Sequence, residues 1–185
     1  MTVANIITIV RIIIVPFFVA VVLYYSKERD YFRFIALGIF LVAAFSDALD
    51  GYIARVYDQK TKLGALLDPL ADKILLVSAF IFLFQVGNAF EFVRFPIWLI
   101  VTVISRDIIL ILGALIIHLY QGDLEIKPTM FGKITTVLQM ACIVGILLQW
   151  EQTPFLWDVT AVLTIISGLD YIRLGINKLN NGTLL

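Results

Sequence analysis

Six long apolar stretches, separated by short polar segments, make up most of the chain. A helix needs roughly 20 apolar residues to cross a bilayer core of about 30 Å. The pattern therefore predicts six membrane-spanning helices, at Ile6–Tyr25, Phe34–Arg55, Leu63–Val86, Phe95–Tyr120, Thr129–Trp150 and Phe155–Ile176. Because the connections are short, residues 1–185 are predicted to form a single all-α membrane domain without a linker, with frayed polar residues at Asn177–Leu185.

The composition places the chain in the same class. Of its 185 residues, 61% are hydrophobic and 15% are charged, and the mean hydropathy is +0.99. A soluble protein of this size could not bury so much apolar surface in its core. The formal net charge is zero and no long run of like charge occurs, so no nucleic-acid partner is predicted.

Cysteine and histidine contribute little to the candidate chemistry. The chain has one cysteine, Cys142, and one histidine, His118. A disulfide within the chain is excluded, and a metal site built from Cys and His is disfavoured. The first apolar stretch lacks the layout of a secretory signal and is predicted to be a retained membrane helix.

Positive charges predict the orientation. An even number of spans places both termini on one side, together with the loops at 56–62 and 121–128. This side carries a mild excess of Lys and Arg, which favours the cytoplasm for both termini.

Four aspartates stand out against this apolar background. Asp47 and Asp50 are three residues apart, and Asp68 and Asp72 are four apart, so on helices each pair shares one face. The link Tyr57–Lys62 is polar and would bring the two pairs together near one membrane surface. Four such anions would repel one another, and carboxylate oxygens suit hard divalent cations. The spacing therefore predicts a site for Mg²⁺, Mn²⁺ or Ca²⁺.

Further ionisable residues lie inside the predicted spans, where they are costly and usually functional. Arg106 and Asp107 are adjacent, so their side chains should leave a helix about 100° apart and neutralise each other poorly. Arg106 is predicted to face a polar cavity. Arg11 and Lys133 either serve the site or extend to the headgroups. Lys73 either pairs with a neighbouring acid or binds phosphate.

The aspartates belong to a longer motif, D-x2-D-G-x2-A-R-x8-G-x3-D-x3-D. The motif is matched at every position and spacing by Asp47, Asp50, Gly51, Ala54, Arg55, Gly64, Asp68 and Asp72. In these residues the chain resembles the CDP-alcohol phosphatidyltransferases. The resemblance extends over nearly the whole chain, because Asn5, Thr8 and Arg11 look like the family's N-terminal helix and the six-span layout agrees.

The resemblance implies a six-transmembrane-helix bundle, commonly a homodimer, that transfers a phosphatidyl group from CDP-diacylglycerol to an alcohol and releases CMP. It implies an integral protein of a bacterial inner membrane, acting in anionic phospholipid synthesis with its active site toward the cytoplasm. Two divalent cations, Mg²⁺ or Mn²⁺, would be held by Asp47, Asp50, Asp68 and Asp72, and Asp72 would also be the catalytic base. The CDP site would be formed by Asn5, Thr8, Asp50, Gly51, Ala54, Arg55 and Gly64.

Two branches of the family compete for the acceptor. Bacterial phosphatidylglycerophosphate synthases tend to show Arg-Glu, a second Arg eight residues after the first, and then Gly-Lys-x-Lys-Thr. This chain has Arg106-Asp107, Ala114 in place of the second Arg, and Gly-Lys-Ile-Thr-Thr at 132–136. Two expected cations are missing. Ser-Arg-Asp at 105–107 and Lys-Pro-Thr at 127–129 look more like eukaryote-type cardiolipin synthases, whose acceptor is phosphatidylglycerol.

The compact length and the first half of the chain resemble the bacterial synthases. We therefore hypothesise glycerol 3-phosphate as the acceptor, with phosphatidylglycerol as the alternative. The candidate acceptor-binding residues are Arg106, Lys127, Lys133 and Lys73. A positively charged cradle of this kind suits a phosphate.

Two other classes fit the composition. A cation channel or transporter would carry carboxylates along a path across the membrane, whereas the four strongest candidates cluster at one end. A lipid-binding relative without catalytic activity would be expected to lose some of the acids, and all four are present. The enzyme is therefore the favoured interpretation.

Overall fold

The structure is a computed structural model that describes the backbone of residues 3–56, 62–121 and 129–182. Side chains are described for residues 9–46, 71, 73–113, 115–116 and 129–176. The described residues form six α-helices, two short 3₁₀ helices at Lys27–Arg29 and Gly87–Ala89, and no strand. The α-helices are α1 (Val3–Leu23), α2 (Tyr31–Val56), α3 (Lys62–Gln85), α4 (Ile97–Gln121), α5 (Met130–Leu147) and α6 (Thr153–Gly182).

Each predicted span coincides with one of these helices, so the all-α prediction is confirmed. The two ends of α6 differ in how well the sequence predicted them. Its start lies beside Pro154, which a first turn tolerates because its missing N–H would have no partner there. Its end lies at Gly182, so the prediction that the backbone frays from residue 177 is wrong up to that residue.

The chain divides into two compact units. Unit 1 comprises Met1–Phe95 and Ile143–Glu151. In it, α1 packs against α2 and α3. Buried residues recur on α1 every three or four positions, at Arg11, Val15, Phe18 and Val22, as a helix with one inward face requires. The rings of Phe18 and Phe40 lie 6.0 Å apart between centroids and join α1 to α2.

Side-chain contacts stabilise the short connections in unit 1. Between α1 and α2, Arg33 binds Asp30 through two parallel contacts, Nε to Oδ1 at 3.0 Å and Nη2 to Oδ2 at 2.8 Å. Tyr25 packs on Phe90 with ring centroids 4.8 Å apart. Burial, together with the Asp30 carboxylate, raises the pKa of Tyr25 above its usual value. These contacts fix how α2 leaves the connection.

Gln149 ends α5 in an unusual backbone conformation, with φ at 53°. The backbone N–H of Trp150 bonds Gly145 O at 2.9 Å, and that of Gln149 bonds Ile146 O at 3.0 Å. These two bonds make a Schellman motif, in which glycine is the usual left-handed residue. The Gln149 side chain explains the exception. Its oxygen accepts from the N–H groups of Phe92 and Val93, and its nitrogen donates to the carbonyls of Val93 and Ile146.

Unit 2 comprises Pro96–Cys142 and Gln152–Leu185. Contacts between α4 and α6 join residues 61 positions apart, Arg106 to Ser167 and Leu110 to Tyr171, so the two helices run parallel. Between α5 and α6, the Thr135 hydroxyl donates to Leu163 O at 3.2 Å. Buried Cys142 lies 3.2 Å from the Thr160 hydroxyl.

The distribution of polarity differs from that in a soluble domain. Large apolar side chains such as Phe45, Val137 and Phe155 are exposed, whereas Arg106 and Gln139 are buried. Exposed apolar surface on this scale indicates contact with a membrane or a partner. Within the described residues, Met130–Leu147 and Thr153–Ile176 are long and apolar enough to span a bilayer. Shorter apolar segments occur at Ile9–Leu23, Tyr31–Ser46 and Lys73–Gln85.

Replacing Gln149 by alanine should destabilise the protein. The change leaves the N–H groups of Phe92 and Val93 without their partner and keeps a side chain in the left-handed conformation. We expect the free energy of unfolding in detergent to fall by about 2 kcal/mol. Gln149→Gly should lose about 1 kcal/mol less, because glycine adopts this conformation without strain. Denaturant titration followed by circular dichroism measures both.

Gln152→Ala is the matched control, because the Gln152 side chain is exposed. Its unfolding should stay within about 0.5 kcal/mol of the wild type. Equal stability of Gln149→Ala and Gln152→Ala would contradict the assigned role of Gln149.

Candidate functional site

The residues of the aspartate motif lie on α2 and α3. The α2 backbone carries Asp47, Asp50, Gly51, Ala54 and Arg55, and the α3 backbone carries Gly64, Asp68 and Asp72. At about 100° per residue, Asp47, Asp50, Gly51 and Ala54 fall within roughly 100° of one face of α2. Their side chains lie outside the described residues, so the geometry of the four carboxylates stays a prediction.

The two acidic pairs occupy matching positions along their helices. Asp50 lies six residues before Val56, where α2 ends, and Asp68 lies six residues after Lys62, where α3 begins. Each position is about 9 Å from its helix end. Because α2 and α3 contact each other and five residues connect them, the helix backbones place both pairs at a similar depth.

The first turns of α1 carry Asn5 and Thr8, whose side chains also lie outside the described residues. Arg11, one turn further along, is fully buried. A side chain that extended to the headgroups would leave its guanidinium in water. The alternative in which Arg11 extends to the surface is therefore wrong.

Arg106 on α4 is the centre of a buried polar cluster in unit 2. Only 6% of its surface is exposed. Its Nη1 lies 2.9 Å from Asp107 Oδ1, and its Nη2 donates to Ser167 Oγ at 2.8 Å. The Nε atom has no hydrogen-bond partner among the described residues. The expectation that Arg106 and Asp107 neutralise each other poorly is wrong, because the long arginine side chain turns back to reach its neighbour.

Gly132 lets the guanidinium lie close to the start of α5, whereas a side chain at Gly168 would make only an ordinary contact with Arg106. A Cβ on Gly132 would lie 3.1 Å from Arg106 Nη2, and a Cβ on Gly168 would lie 3.6 Å from Arg106 Cγ. Gly132 belongs to the first turn of α5, and its backbone N–H donates to Thr129 Oγ1, which caps the helix, at 3.1 Å. The positive end of the α5 dipole therefore adds to the charge of Arg106, and the pair forms an environment suited to an anion.

A buried polar seam continues from this cluster along α5 and α6. It consists of Thr135, Gln139, Thr160, Thr164 and Ser167. Thr135, Thr160 and Thr164 donate to carbonyls four residues earlier in their own helices. Neither amide atom of Gln139 has a hydrogen-bond partner among the described residues. Polar groups buried in this way are costly in a membrane, so we expect these residues of α5 and α6 to have a role besides helix packing.

The other predicted acceptor residues are placed differently. The Lys133 side chain is exposed, and no contact within the described part of the chain joins it to Arg106. Lys73 is half-buried in unit 1. Lys127 lies outside the described residues. Of the four predicted acceptor residues, the described structure thus places Arg106 alone in a buried polar cluster.

Ser167 was not among the sequence-predicted site residues. A signal for it exists, since Thr160, Thr164, Ser167 and Tyr171 recur every three or four residues along α6. This spacing puts them on one face of α6. The role of Gly132 had no comparable signal, because its close approach to Arg106 depends on how α4 and α5 pack.

Comparisons with known proteins agree with this architecture. The sequence profile of the CDP-alcohol phosphatidyltransferases matches residues 1–169. A CDP-diacylglycerol--glycerol-3-phosphate 3-phosphatidyltransferase of Haemophilus influenzae is 34% identical over 172 residues, 90% of this chain and 89% of the relative. The enzyme of that name in Escherichia coli K12 is 33% identical over 177 residues, 91% of each chain. A probable phosphatidylglycerophosphate synthase of Mycobacterium tuberculosis H37Rv is 31% identical over 176 residues, 91% of this chain and 79% of the relative.

Together, the helices with apolar outer faces, the two helices that carry the motif and these matches define an integral membrane enzyme, a phosphatidyltransferase. The chain belongs to the CDP-alcohol phosphatidyltransferase family.

Packing of Gly113 against Tyr171 offers a test of the α4–α6 register. A Cβ on Gly113 would lie 2.8 Å from Tyr171 Cε1, and the Tyr171 hydroxyl donates to Leu110 O at 3.2 Å. Gly113→Ala must therefore displace the ring, and we expect it to reduce the free energy of unfolding by about 1–3 kcal/mol. Thermal unfolding in detergent measures the loss.

Gly38→Ala on α2 is the matched control, because nothing lies within 4 Å of a Cβ at Gly38. It should leave the stability unchanged or raise it by up to about 1 kcal/mol, since alanine favours a helix. Equal melting temperatures for the two variants would show that the packing of Tyr171 does not require glycine at position 113.

Proposed function

We propose that this enzyme transfers the phosphatidyl group of CDP-diacylglycerol to glycerol 3-phosphate, forming phosphatidylglycerophosphate and releasing CMP. The observation that carries the proposal is the buried Arg106 beside the N-terminus of α5. Such a site suits a small acceptor that brings its own phosphate. The names of the Haemophilus and Escherichia relatives support the same acceptor.

Phosphatidylglycerol, the alternative acceptor, is less well supported. Its phosphodiester carries one negative charge, whereas the phosphomonoester of glycerol 3-phosphate carries up to two. A guanidinium that can present two parallel N–H groups suits the terminal phosphate of the smaller acceptor. We propose that Arg106 binds this phosphate, and that Lys73, Lys127 and Lys133 add positive charge.

The residues of the motif fit a divalent-metal site. Four aspartates on two contacting helices would supply only oxygen ligands, which Mg²⁺ and Mn²⁺ prefer. We propose that Asp47, Asp50, Asp68 and Asp72 hold two such ions. When bound, the ions supply charge neutralisation at the diphosphate.

The protein's own residues carry the remaining steps. Asn5, Thr8, Asp50, Gly51, Ala54, Arg55 and Gly64 are proposed to bind the CDP group. The Asp72 carboxylate takes the proton of the acceptor hydroxyl. The hydroxyl oxygen then forms a bond to the phosphatidyl phosphorus, and the bond from this phosphorus to the CMP oxygen breaks. CMP leaves with the electron pair of the broken bond.

We further propose a six-span homodimer in a bacterial inner membrane, with the active site toward the cytoplasm. The six helices and their apolar outer faces support the spans. A cytoplasmic site would receive the soluble acceptor, while the acyl chains of the donor stay in the bilayer.

The test is release of CMP by purified enzyme supplied with CDP-diacylglycerol and Mg²⁺ or Mn²⁺. We expect turnover with glycerol 3-phosphate, little with phosphatidylglycerol, and none after EDTA. Arg106→Gln should raise the KM for glycerol 3-phosphate by about tenfold or more, the range of a lost charge-assisted contact. Its KM for CDP-diacylglycerol should change little.

Arg94→Gln is the control, because Arg94 bonds Asn88 in the exposed connection before α4. It should keep wild-type constants for both substrates. Turnover with phosphatidylglycerol alone would overturn the proposed acceptor, and an unchanged acceptor KM in Arg106→Gln would remove Arg106 from the site.

Asp72→Asn tests the proposed base. The amide keeps the size of the side chain but cannot accept the proton, so we expect kcat to fall by at least 100-fold. Binding of CDP-diacylglycerol, measured by its shift of the melting temperature, should be largely retained. A variant with wild-type kcat would show that another group takes the proton.

A further inference from the structure

The contacts of Arg106 raise a question about its charge. Arg106 Nη1 donates to Asp107 Oδ1 at 2.9 Å, and Asp107 is only 2% exposed. A buried carboxylate therefore already neutralises the cation that we propose binds the acceptor. On the other side, Ser167 occupies Nη2 at 2.8 Å with a neutral hydroxyl. The guanidinium is thus held by two partners that differ in charge.

A buried ion pair of this kind is poorly explained by stability. Removing two charges from water is costly, and apolar residues of similar volume often stabilise a core as well or better. Ser167 alone could orient the guanidinium through a neutral hydrogen bond. The negative charge of the carboxylate therefore has an effect on Arg106 that a neutral partner would not have.

The proposed reaction supplies a reason. Transfer to glycerol 3-phosphate joins the new phosphatidyl group to the glycerol hydroxyl and leaves the terminal phosphate unchanged. The product consequently carries the same phosphate that brought the acceptor to Arg106. A cation without a neighbouring anion, beside the positive end of α5, would hold substrate and product alike and would slow product release.

We propose that Asp107 is a positioning residue that competes with the acceptor's phosphate for Arg106. Its carboxylate holds the guanidinium when the site is empty, weakens the binding of any phosphate there, and returns to Nη1 as the product leaves. This inference rests on the proposed function. Asp107 thus keeps the affinity for the acceptor below the highest value that the site could reach, and product release is faster as a result.

Asp107→Asn tests the idea, because the amide keeps the shape and removes the charge. We expect the KM for glycerol 3-phosphate and kcat to fall together, each by about five- to tenfold. Titration calorimetry without CDP-diacylglycerol should show tighter binding of glycerol 3-phosphate by a similar factor. A pre-steady-state burst of CMP should appear, since release of the phosphorylated lipid becomes slow.

Two further variants separate charge from geometry. Asp107→Glu keeps the carboxylate and should restore most of kcat. Ser167→Ala removes the neutral partner of Nη2 and should raise the acceptor KM without a burst. Thermal unfolding of each purified variant shows whether it is folded, and the calorimetric arm needs no turnover.

The outcomes distinguish this inference from the proposed function. If wild-type enzyme neither binds nor uses glycerol 3-phosphate, the acceptor itself is wrong. If the wild type uses it while Asp107→Asn has an unchanged or raised dissociation constant and KM, the proposed competition is overturned. In that case Asp107 only orients Arg106.

Discussion

The structure depends on one constraint: the side chains that face outward are largely apolar, so buried polar groups can find hydrogen-bond partners only inside the protein. A hydrocarbon surrounding offers no hydrogen bonds to a guanidinium or an amide. Arg106 is accordingly bonded to Asp107 and Ser167. The threonines of α5 and α6 bond to carbonyls of their own helices. The same constraint makes every inward charge informative, because neutral residues would cost less.

Small residues make these inward bonds possible. The Arg106 guanidinium lies close to α5 because Gly132 has no side chain at the point of contact. Gly113 leaves room for the Tyr171 ring in the same way, two turns beyond Arg106 on α4 and one turn beyond Ser167 on α6. Close approach through small residues is a general means of packing helices in membranes. Here it has a chemical consequence as well, since it brings a cation next to a helix N-terminus.

How far the sequence predicts the structure depends on the range of the interaction. The helices follow from the length of the apolar stretches, and the shared faces of the aspartates follow from spacing alone. Asp47 and Asp50 need only a helical backbone to lie together, whichever helices surround them. The contact of Arg106 with Asp107 could not be predicted in this way, because it depends on a long side chain turning back toward its neighbour. Ser167 lies 61 residues away, and its partner is fixed only when α6 packs on α4.

Gln149 shows the same limit in the backbone. A left-handed residue after a helix is normally glycine, and nothing local indicates glutamine there. The conformation is stabilised by Phe92 and Val93, which lie 57 and 56 residues earlier. Their backbone N–H groups donate hydrogen bonds to the side-chain oxygen of Gln149. The spacing of residues in the sequence cannot reveal a contact between two connections that lie so far apart in the chain.

The surroundings of Cys142 have a practical consequence. Its thiol is enclosed between α5 and α6, against Thr160, and the chain has no second cysteine. Alkylating reagents and spin labels in water cannot reach a sulfur in that position while the helices stay packed. Two cysteines introduced at exposed positions can therefore be labelled selectively in the otherwise natural sequence, which opens this enzyme to distance measurements during turnover.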